Sequence, residues 1–225
     1  MSEQADGADR RKPGRPRQDG DLQEAILDAA ERAFADLGFS GAKIRDIATG
    51  AGVNPGLIRY YFGSKSDLFD EVFRRRGGVV AGSRHVLLDR LLEECPAPSV
   101  EQIIRAYLKP QWDIKHSGEG GAAFVRLQAR LHAEPEEHAL RLRREVYDAS
   151  VRRYVSALAD VLPEIPRGTI SLRMTFLVGT YMFMLNDLGR LSDMTDGQIA
   201  ALDMGEMLDE LVRFLAAGLR APLVE

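Results

Sequence analysis

Between residues 43 and 65 the chain concentrates side chains suited to a polyanion and to the edges of stacked bases: Lys43, Arg45, Asn54, Arg59, Tyr60, Tyr61 and Lys65. An arginine can pair bidentately with guanine, an amide can bond a base edge, and apolar surfaces such as Pro55 and Leu57 suit thymine methyl groups. Position matters as much as type. Asn54 is a good N-cap residue, Pro55 fits the first helical position, and Gly63 ends the run, so several of these groups share a short helix from Asn54 to about Tyr61. A helix of this kind enters a major groove with its N-terminal residues leading, here Asn54, Pro55, Leu57, Arg59 and Tyr60, while Val53, Ile58 and Phe62 face inward. Tyr61 and Phe62 can also be read as packing residues.

Catalytic chemistry has no comparable cluster. The sequence contains no Gly-rich phosphate loop, His-Glu-x-x-His, Gly-x-Ser-x-Gly or Cys-x-x-Cys motif. Its single cysteine, Cys95, lies between acidic and proline residues with nothing nearby to activate it, and the four histidines lack metal-ligand spacing. The expectation is a protein that is not an enzyme and holds no metal or cofactor.

The elements that must position the 43–65 cluster are helical. Leu22, Ile26, Ala29, Ala33 and Leu37 recur at helical spacing, with Asp21 placed to cap and Gly38 placed to stop a first helix. A second, about Lys43 to Gly50, puts Ile44, Ile47 and Ala48 on one face, and Gly50-Ala51-Gly52 supplies the turn into the third. Two short helices joined by a glycine turn spell helix-turn-helix. Ser64-Lys65-Ser66-Asp67 is a capping signature for a fourth helix, about Ser66–Leu92, in which Gly77-Gly78 marks a kink or a boundary. Further helices are expected near Val100–Lys109, Ala122–His132, Pro135–Leu162, Ile170–Leu188 and Met204–Leu219, and Lys115 to Gly121 reads as the most flexible internal loop. No β alternation is visible. The fold class is all-α: a basic arm (1–20), a three-helix helix-turn-helix domain (21–66) and a larger helical domain (67–225).

The net charge of −4 argues superficially against nucleic acid. Its distribution argues otherwise, because residues 1–76 hold basic and acidic side chains in equal number and leave the whole acidic excess to the remainder. The first twenty residues have almost no apolar content and are expected to form a flexible arm. Within it Lys12-Pro13-Gly14-Arg15-Pro16-Arg17 reads either as a minor-groove reader, with Arg15 and Arg17 entering a narrow A·T groove, or as a solvated basic tail. No apolar segment follows these arginines, so no signal peptide is expected. Phe176 to Leu185, the longest apolar run, falls short of a membrane span and reads as core. The expected location is the cytoplasm.

Gly38-Phe39, Ile44-Arg45-Asp46-Ile47-Ala48, Gly52-Val53-Asn54-Pro55-Gly56 and Tyr60-Tyr61-Phe62-Gly63-Ser64-Lys65-Ser66-Asp67-Leu68 together resemble the DNA-binding domain of the TetR family, over about Asp21 to Phe73. The resemblance implies backbone contacts from Lys43 and Lys65, and groove or phosphate contacts from Asn54, Pro55, Gly56, Leu57, Arg59, Tyr60 and Tyr61. Two positions depart from the family pattern. Ala42-Lys43 stands where a hydroxyl residue usually opens the second helix, leaving Ser40 or Gly41 to cap it, and Arg59 stands where tyrosine is common.

Ile170–Leu188 is apolar around nearly its whole circumference and must be covered on all sides. The resemblance implies that this helix and Met204–Leu219 pair with their mates in a homodimer, that the partners are double-stranded operator DNA and a small-molecule effector, and that the fourth helix couples the two sites by a pendulum-like shift. Trp112, Phe124, Leu127, Tyr147, Met174 and Met182 are candidates to line an apolar effector pocket, with Arg130, His132 or Asn186 as polar anchor. The alternative is a DNA-binding or adaptor protein without an effector, which would have a compact C-terminal core and no cavity.

Overall fold

The computed structural model describes residues 19–131, 136–186, 190–198 and 203–223. Arg15, Arg17 and His132 lie outside them, as do the other residues of 1–18 and of 132–135, whereas Asp19 and Gly20, expected in the arm, begin the first helix. The described chain forms ten α-helices: α1 (Asp19–Gly41), α2 (Ile44–Ala51), α3 (Pro55–Phe62), α4 (Lys65–Glu94), α5 (Val100–Lys115), α6 (Glu119–Arg130), α7 (Glu136–Val161), α8 (Arg167–Leu185), α9 (Arg190–Met194) and α10 (Met204–Leu219).

Helix α1 already runs at Asp19, so Asp21 sits in its first turn rather than capping it, where a carboxylate still favours the helix dipole. Its buried stripe is Ile26, Ala30 and Phe34, and the expected Leu37 is 55% exposed. Gly38 breaks the helical path with φ 71°, a conformation glycine adopts without a Cβ penalty. Arg126 and Arg130 of α6 then hold the end of α1 by donating to the carboxylate and the carbonyl of Asp36. Helix α2 opens at Lys43 with no side-chain cap, so neither Ser40 nor Gly41 serves in that role.

Ser64 caps α4 as the sequence suggests. Its hydroxyl accepts from the Asp67 N–H and donates to the Asp67 carboxylate at 2.6 Å, and that carboxylate also accepts from the Ser64 N–H; the hydroxyl's donation, then the backbone one, holds Asp67 below the usual carboxylate range. The helix runs unbroken through Gly77-Gly78 because α7 packs there: a Cβ on Gly77 would meet Val146 Cγ1 at 2.6 Å. Helix α5 likewise passes through Pro110 to Lys115, well beyond the expected end. Only 116–118 separate α5 from α6, so the expected flexible loop is largely helix. His116 and Ser117 bond the carbonyls of Trp112 and Ile114, and Gly121 admits the Ile114 carbonyl so closely that a Cβ would meet it at 1.7 Å.

Two apolar clusters organise these helices. One joins α1–α3 to the first half of α4 and to α6 and α7, around Phe34, Ile47, Ile58, Phe69, Phe73, Phe124 and Leu142. The other joins α5, the second half of α7, α8 and α10, around Ile103, Leu108, Tyr154, Leu158, Met174, Tyr181 and Leu215, and includes Leu88 of α4. Helix α4 therefore belongs to both. Its thirty residues span about 45 Å at the α-helical rise.

Helix α8 is covered on one side only. Ile170, Met174, Leu177, Tyr181 and Leu185 are buried, whereas Leu172, Phe176 and Phe183 are more than half exposed, as is Phe214 of α10. Length and composition alone would let α8 cross a membrane. In this fold it is a bundle helix, with the Tyr181 hydroxyl donating to the Leu108 carbonyl at 2.7 Å and Arg173 donating to the Leu219 carbonyl at 2.8 Å.

Candidate nucleic-acid interface and interior cavity

Helix α3 is set in place by its ends and by one buried contact. Asn54 accepts from the Gly56 N–H at 2.8 Å, Pro55 occupies the first turn, and Gly63 closes the helix with φ 79°. Gly56 leaves room for this cap, since a Cβ there would come within 3.1 Å of Asn54 Oδ1. Ile58 is buried, and Val53 and Phe62 are half-buried against the same core, as their spacing predicts. The opposite face is open: Asn54, Pro55, Gly56, Arg59 and Tyr60 are exposed, Tyr60 at 79%, with Leu57 half-buried beside them. The Asn54 oxygen is committed to the cap, which leaves its amide N–H groups to meet a ligand.

Lys43 and Arg45 stand exposed on the neighbouring helix start. Neither they nor Arg59 has an ion-pair partner among the described residues, in contrast to Arg74, Arg75, Arg76, Arg141 and Arg220. Lys65 and Tyr61 are held more tightly. The Lys65 ammonium lies 4.7 Å from the Phe39 ring centroid, and the Tyr61 hydroxyl donates to Asp19 at 3.1 Å. Desolvation, then this bond, raises the Tyr61 hydroxyl above the usual phenol range. Tyr61 thus packs and ties α3 to the start of α1, while Tyr60 projects freely. An exposed row of unpaired cations, an amide and a phenol on a preorganised helix can bond phosphates and base edges without first breaking internal contacts.

A cavity of about 580 Å³ lies among α4, α5, α6, α7 and α8. Tyr147, Met174 and Met182 line it, whereas Trp112, Phe124 and Leu127 lie in the two apolar cores. The suggested polar anchors are elsewhere: Arg130 holds α1, and the Asn186 amide donates to the Met182 carbonyl. The polar groups at the deep end are instead Arg84, Gln111 and Gln128, all more than nine-tenths buried. Arg84 donates through Nε to the Tyr107 carbonyl at 2.9 Å and through Nη2 to Gln111 at 3.2 Å. Gln111 donates to Gln128 at 2.5 Å, and Gln128 to the Tyr147 hydroxyl. Burial pushes the Tyr147 and Tyr181 hydroxyls well above the ordinary phenol range, so both remain neutral hydrogen-bonding groups. One signal in the sequence pointed to this chain of residues: Arg84 falls on the stripe of Phe73, Gly77, Val80 and Leu88, Gln111 on that of Ile104, Tyr107 and Leu108, and Gln128 on that of Phe124 and Leu131. A polar residue at a core-facing register position is the pattern that marks a buried site.

Helix α4 joins the helix-turn-helix to the cavity. Arg75 of α4 pairs with Glu24, Asp28 and Glu31 along α1, and Arg76 also reaches Glu31, which is 2% exposed. Further along the same helix Arg84 enters the cavity. A displacement of α4 at the cavity must therefore be transmitted to α1 or break these pairs.

A family profile described as bacterial regulatory proteins, tetR family, matches residues 26–72, and one described as tetracyclin repressor-like, C-terminal domain, matches residues 105–218. The HTH-type transcriptional regulator AcrR of Shigella flexneri is 42% identical over 53 residues, 24% of this chain and 25% of AcrR. The HTH-type transcriptional regulator BetI of Escherichia coli is 32% identical over 144 residues, 63% of this chain and 69% of BetI. The matches to the first curated relatives span only 25% to 30% of those proteins' length. Among solved structures, the fatty acid degradation regulator FadR from Bacillus halodurans superposes with a TM-score of 0.60 at 20% identity, covering 88% of this chain and 99% of that one. That likeness is one of fold.

Proposed function

We propose, from the premise that this chain belongs to the TetR family, that it is a sequence-specific DNA-binding transcription regulator released from its operator by a small, mostly apolar effector. The observation that carries this reading is the open face of α3, where Asn54, Arg59 and Tyr60 stand exposed beside Lys43 and Arg45, which have no ion-pair partner among the described residues. Lys65 and Tyr61 flank that face and fix its position. Arg15 and Arg17 of the arm would add minor-groove or phosphate contacts.

The family's relatives carry transcriptional regulator or repressor in their names, which supports regulation over turnover and repression as its sense. A cytoplasmic protein with access to the chromosome follows from the same reading. The exposed apolar faces of α8 and α10 support a two-fold dimer built on Leu172, Phe176, Phe183 and Phe214, which would present two α3 helices to paired half-sites about one helical turn apart. The cavity speaks against a regulator with no effector, since that alternative requires a filled C-terminal core. Release requires an effector that favours the conformation whose half-site spacing no longer matches the operator, and α4 is the element that spans both sites.

The test is a mobility shift of the full-length protein on the DNA upstream of its own gene against scrambled DNA over a salt series, with selection from a random pool in parallel. A retarded complex that survives competitor and weakens with salt is expected. Arg59→Ala is expected to cost about 1–3 kcal/mol and to relax preference at one operator position. Retardation indifferent to sequence in both formats, with unchanged preference in Arg59→Ala, would overturn the reading.

A further inference from the structure

The effector cavity is strongly asymmetric in charge. Four arginines line it, Arg84, Arg143, Arg152 and Arg167, against one carboxylate, Asp148. Asp148 already pairs with Arg152 at 3.4 Å. The innermost arginine is the informative one. Arg84 is 3% exposed, lies with its guanidinium 3.7 Å from the Tyr107 ring centroid, and has no carboxylate partner among the described residues. Its two side-chain hydrogen bonds go to neutral oxygens, and Nη1 has no partner among the described residues. A buried cation left without an anion is costly, and the usual remedy is a bound counter-charge.

Resting on the effector reading above, we propose that the cavity takes a carboxylate on an apolar body, with the carboxylate seated on Arg84. Of the five N–H groups of a guanidinium two are used here, by Tyr107 and Gln111, so the Nη1 edge is left to grip a carboxylate from two directions. Gln128, which gives one amide N–H to the Tyr147 hydroxyl, keeps a second to bond a remaining lone pair, while Gln111 is fully engaged with Arg84, Gln128 and the Met182 sulfur and holds the guanidinium in place. Phe73, Val151, Val155, Met174, Val178 and Met182 surround the space between this end and the mouth, where an acyl or aryl body would lie. The opposite orientation, with the acid at the mouth and the apolar body against Arg84, would leave the deep cation unpaired and further desolvated. A phosphate head would bring excess negative charge to a single guanidinium. Arg143, Arg152 and Arg167, nearer the mouth, would attract an anion towards the entrance.

The probes are decanoate, decan-1-ol, decyltrimethylammonium and decyl phosphate, titrated below their aggregation limits into the full-length dimer by calorimetry, and then added to the operator complex. Decanoate is expected to bind roughly tenfold or more tightly than decanol, as for a hydrogen bond to a charged group, and the cation not at all. Arg84→Gln should abolish the acid-over-alcohol preference, and Arg167→Gln should keep it. Arg84→Lys, which retains charge without the fork, should keep part of it and covers the case in which Arg84→Gln fails to fold. Equal affinity for decanoate and decanol in the unmodified protein would overturn the proposal, as would a preference that survives in Arg84→Gln, one lost in Arg167→Gln instead, or tighter binding of decyl phosphate. Arg84-dependent decanoate binding that leaves the operator complex untouched would support the anion site while refuting effector release. Sequence-specific DNA binding with no carboxylate preference would refute the anion site alone.

Discussion

Gly77 and Gly78 are neighbours in the middle of α4 and differ chiefly in what a methyl group would touch. At Gly78, which is exposed, an added Cβ meets nothing within 4 Å, so Gly78→Ala should bring only the helix-propensity gain of roughly 0.5–1 kcal/mol. At Gly77 the same methyl meets Val146 Cγ1 at 2.6 Å and the Tyr147 hydroxyl at 3.0 Å. Val146 lies in helix α7 and its χ1 is confined there, so it cannot simply swing away. Tyr147 is fastened to Gln128, so its yielding would disturb the wall of the cavity. Relief therefore requires α4 and α7 to separate, an overpacking cost of about 1–3 kcal/mol. Set against the propensity gain, Gly77→Ala is expected to be net destabilising, by about 1 kcal/mol. The propensity term cancels between the two variants. Thermal melts by circular dichroism at one fixed protein concentration should therefore place Gly77→Ala below Gly78→Ala by roughly 2–12 °C for a chain of this size. If Gly77→Ala melts as high as Gly78→Ala, the close approach of α4 to α7 is wrong, and with it the claim that the glycine pair serves packing rather than a hinge.

Three further outcomes follow from other contacts. Ser64→Ala removes one half of the α4 capping box and should lower stability by about 1 kcal/mol in denaturant titration, with the slope unchanged. The Arg220 guanidinium, bonded to Glu101 at 2.6 Å, holds that carboxyl down to about 2 from 4.5. Because the folded value is depressed, the pair's contribution is complete above about pH 4.5 and is lost as pH falls towards 2. Both groups are more than a third exposed, so Glu101→Gln should cost under about 1 kcal/mol at neutral pH, less in high salt, and the difference from the unmodified protein should vanish in acid; a difference that grows in acid would contradict the assignment. Phe176→Glu places a charge in the middle of the exposed face of α8 and should yield a monomer by light scattering at concentrations where the unmodified chain is dimeric. An unchanged mass would move the dimer interface elsewhere.

The DNA-binding end was legible from sequence because its structure is local. Asn54 bonds Gly56, Ser64 bonds Asp67, and Gly38, Gly52 and Gly63 take positive φ, all within a few residues of the helix they begin or end. Even there, register needed tertiary context: Leu37 satisfied the spacing rule yet faces outward, while Phe34 fills the core. Pro110 and the Gly77-Gly78 pair read as interruptions by local propensity, and packing against neighbouring helices carried both helices through.

What the sequence by itself determined was the all-α class, most of the helix spans, the helix-turn-helix and the side chains on its open face, since caps, turns and apolar spacing couple a residue only to those three or four places away. What only the tertiary structure decided was the cavity. It is the space that five helices leave unfilled, and its polar end is assembled from Arg84, Gln111 and Gln128, one residue from each of three helices. Each reads alone as a polar side chain on a helix. Their meeting depends on how α4, α5 and α6 cross, which no spacing within any one of them encodes, and for the same reason Trp112, Phe124 and Leu127, which satisfied the same apolar pattern as Met174, became core instead of wall.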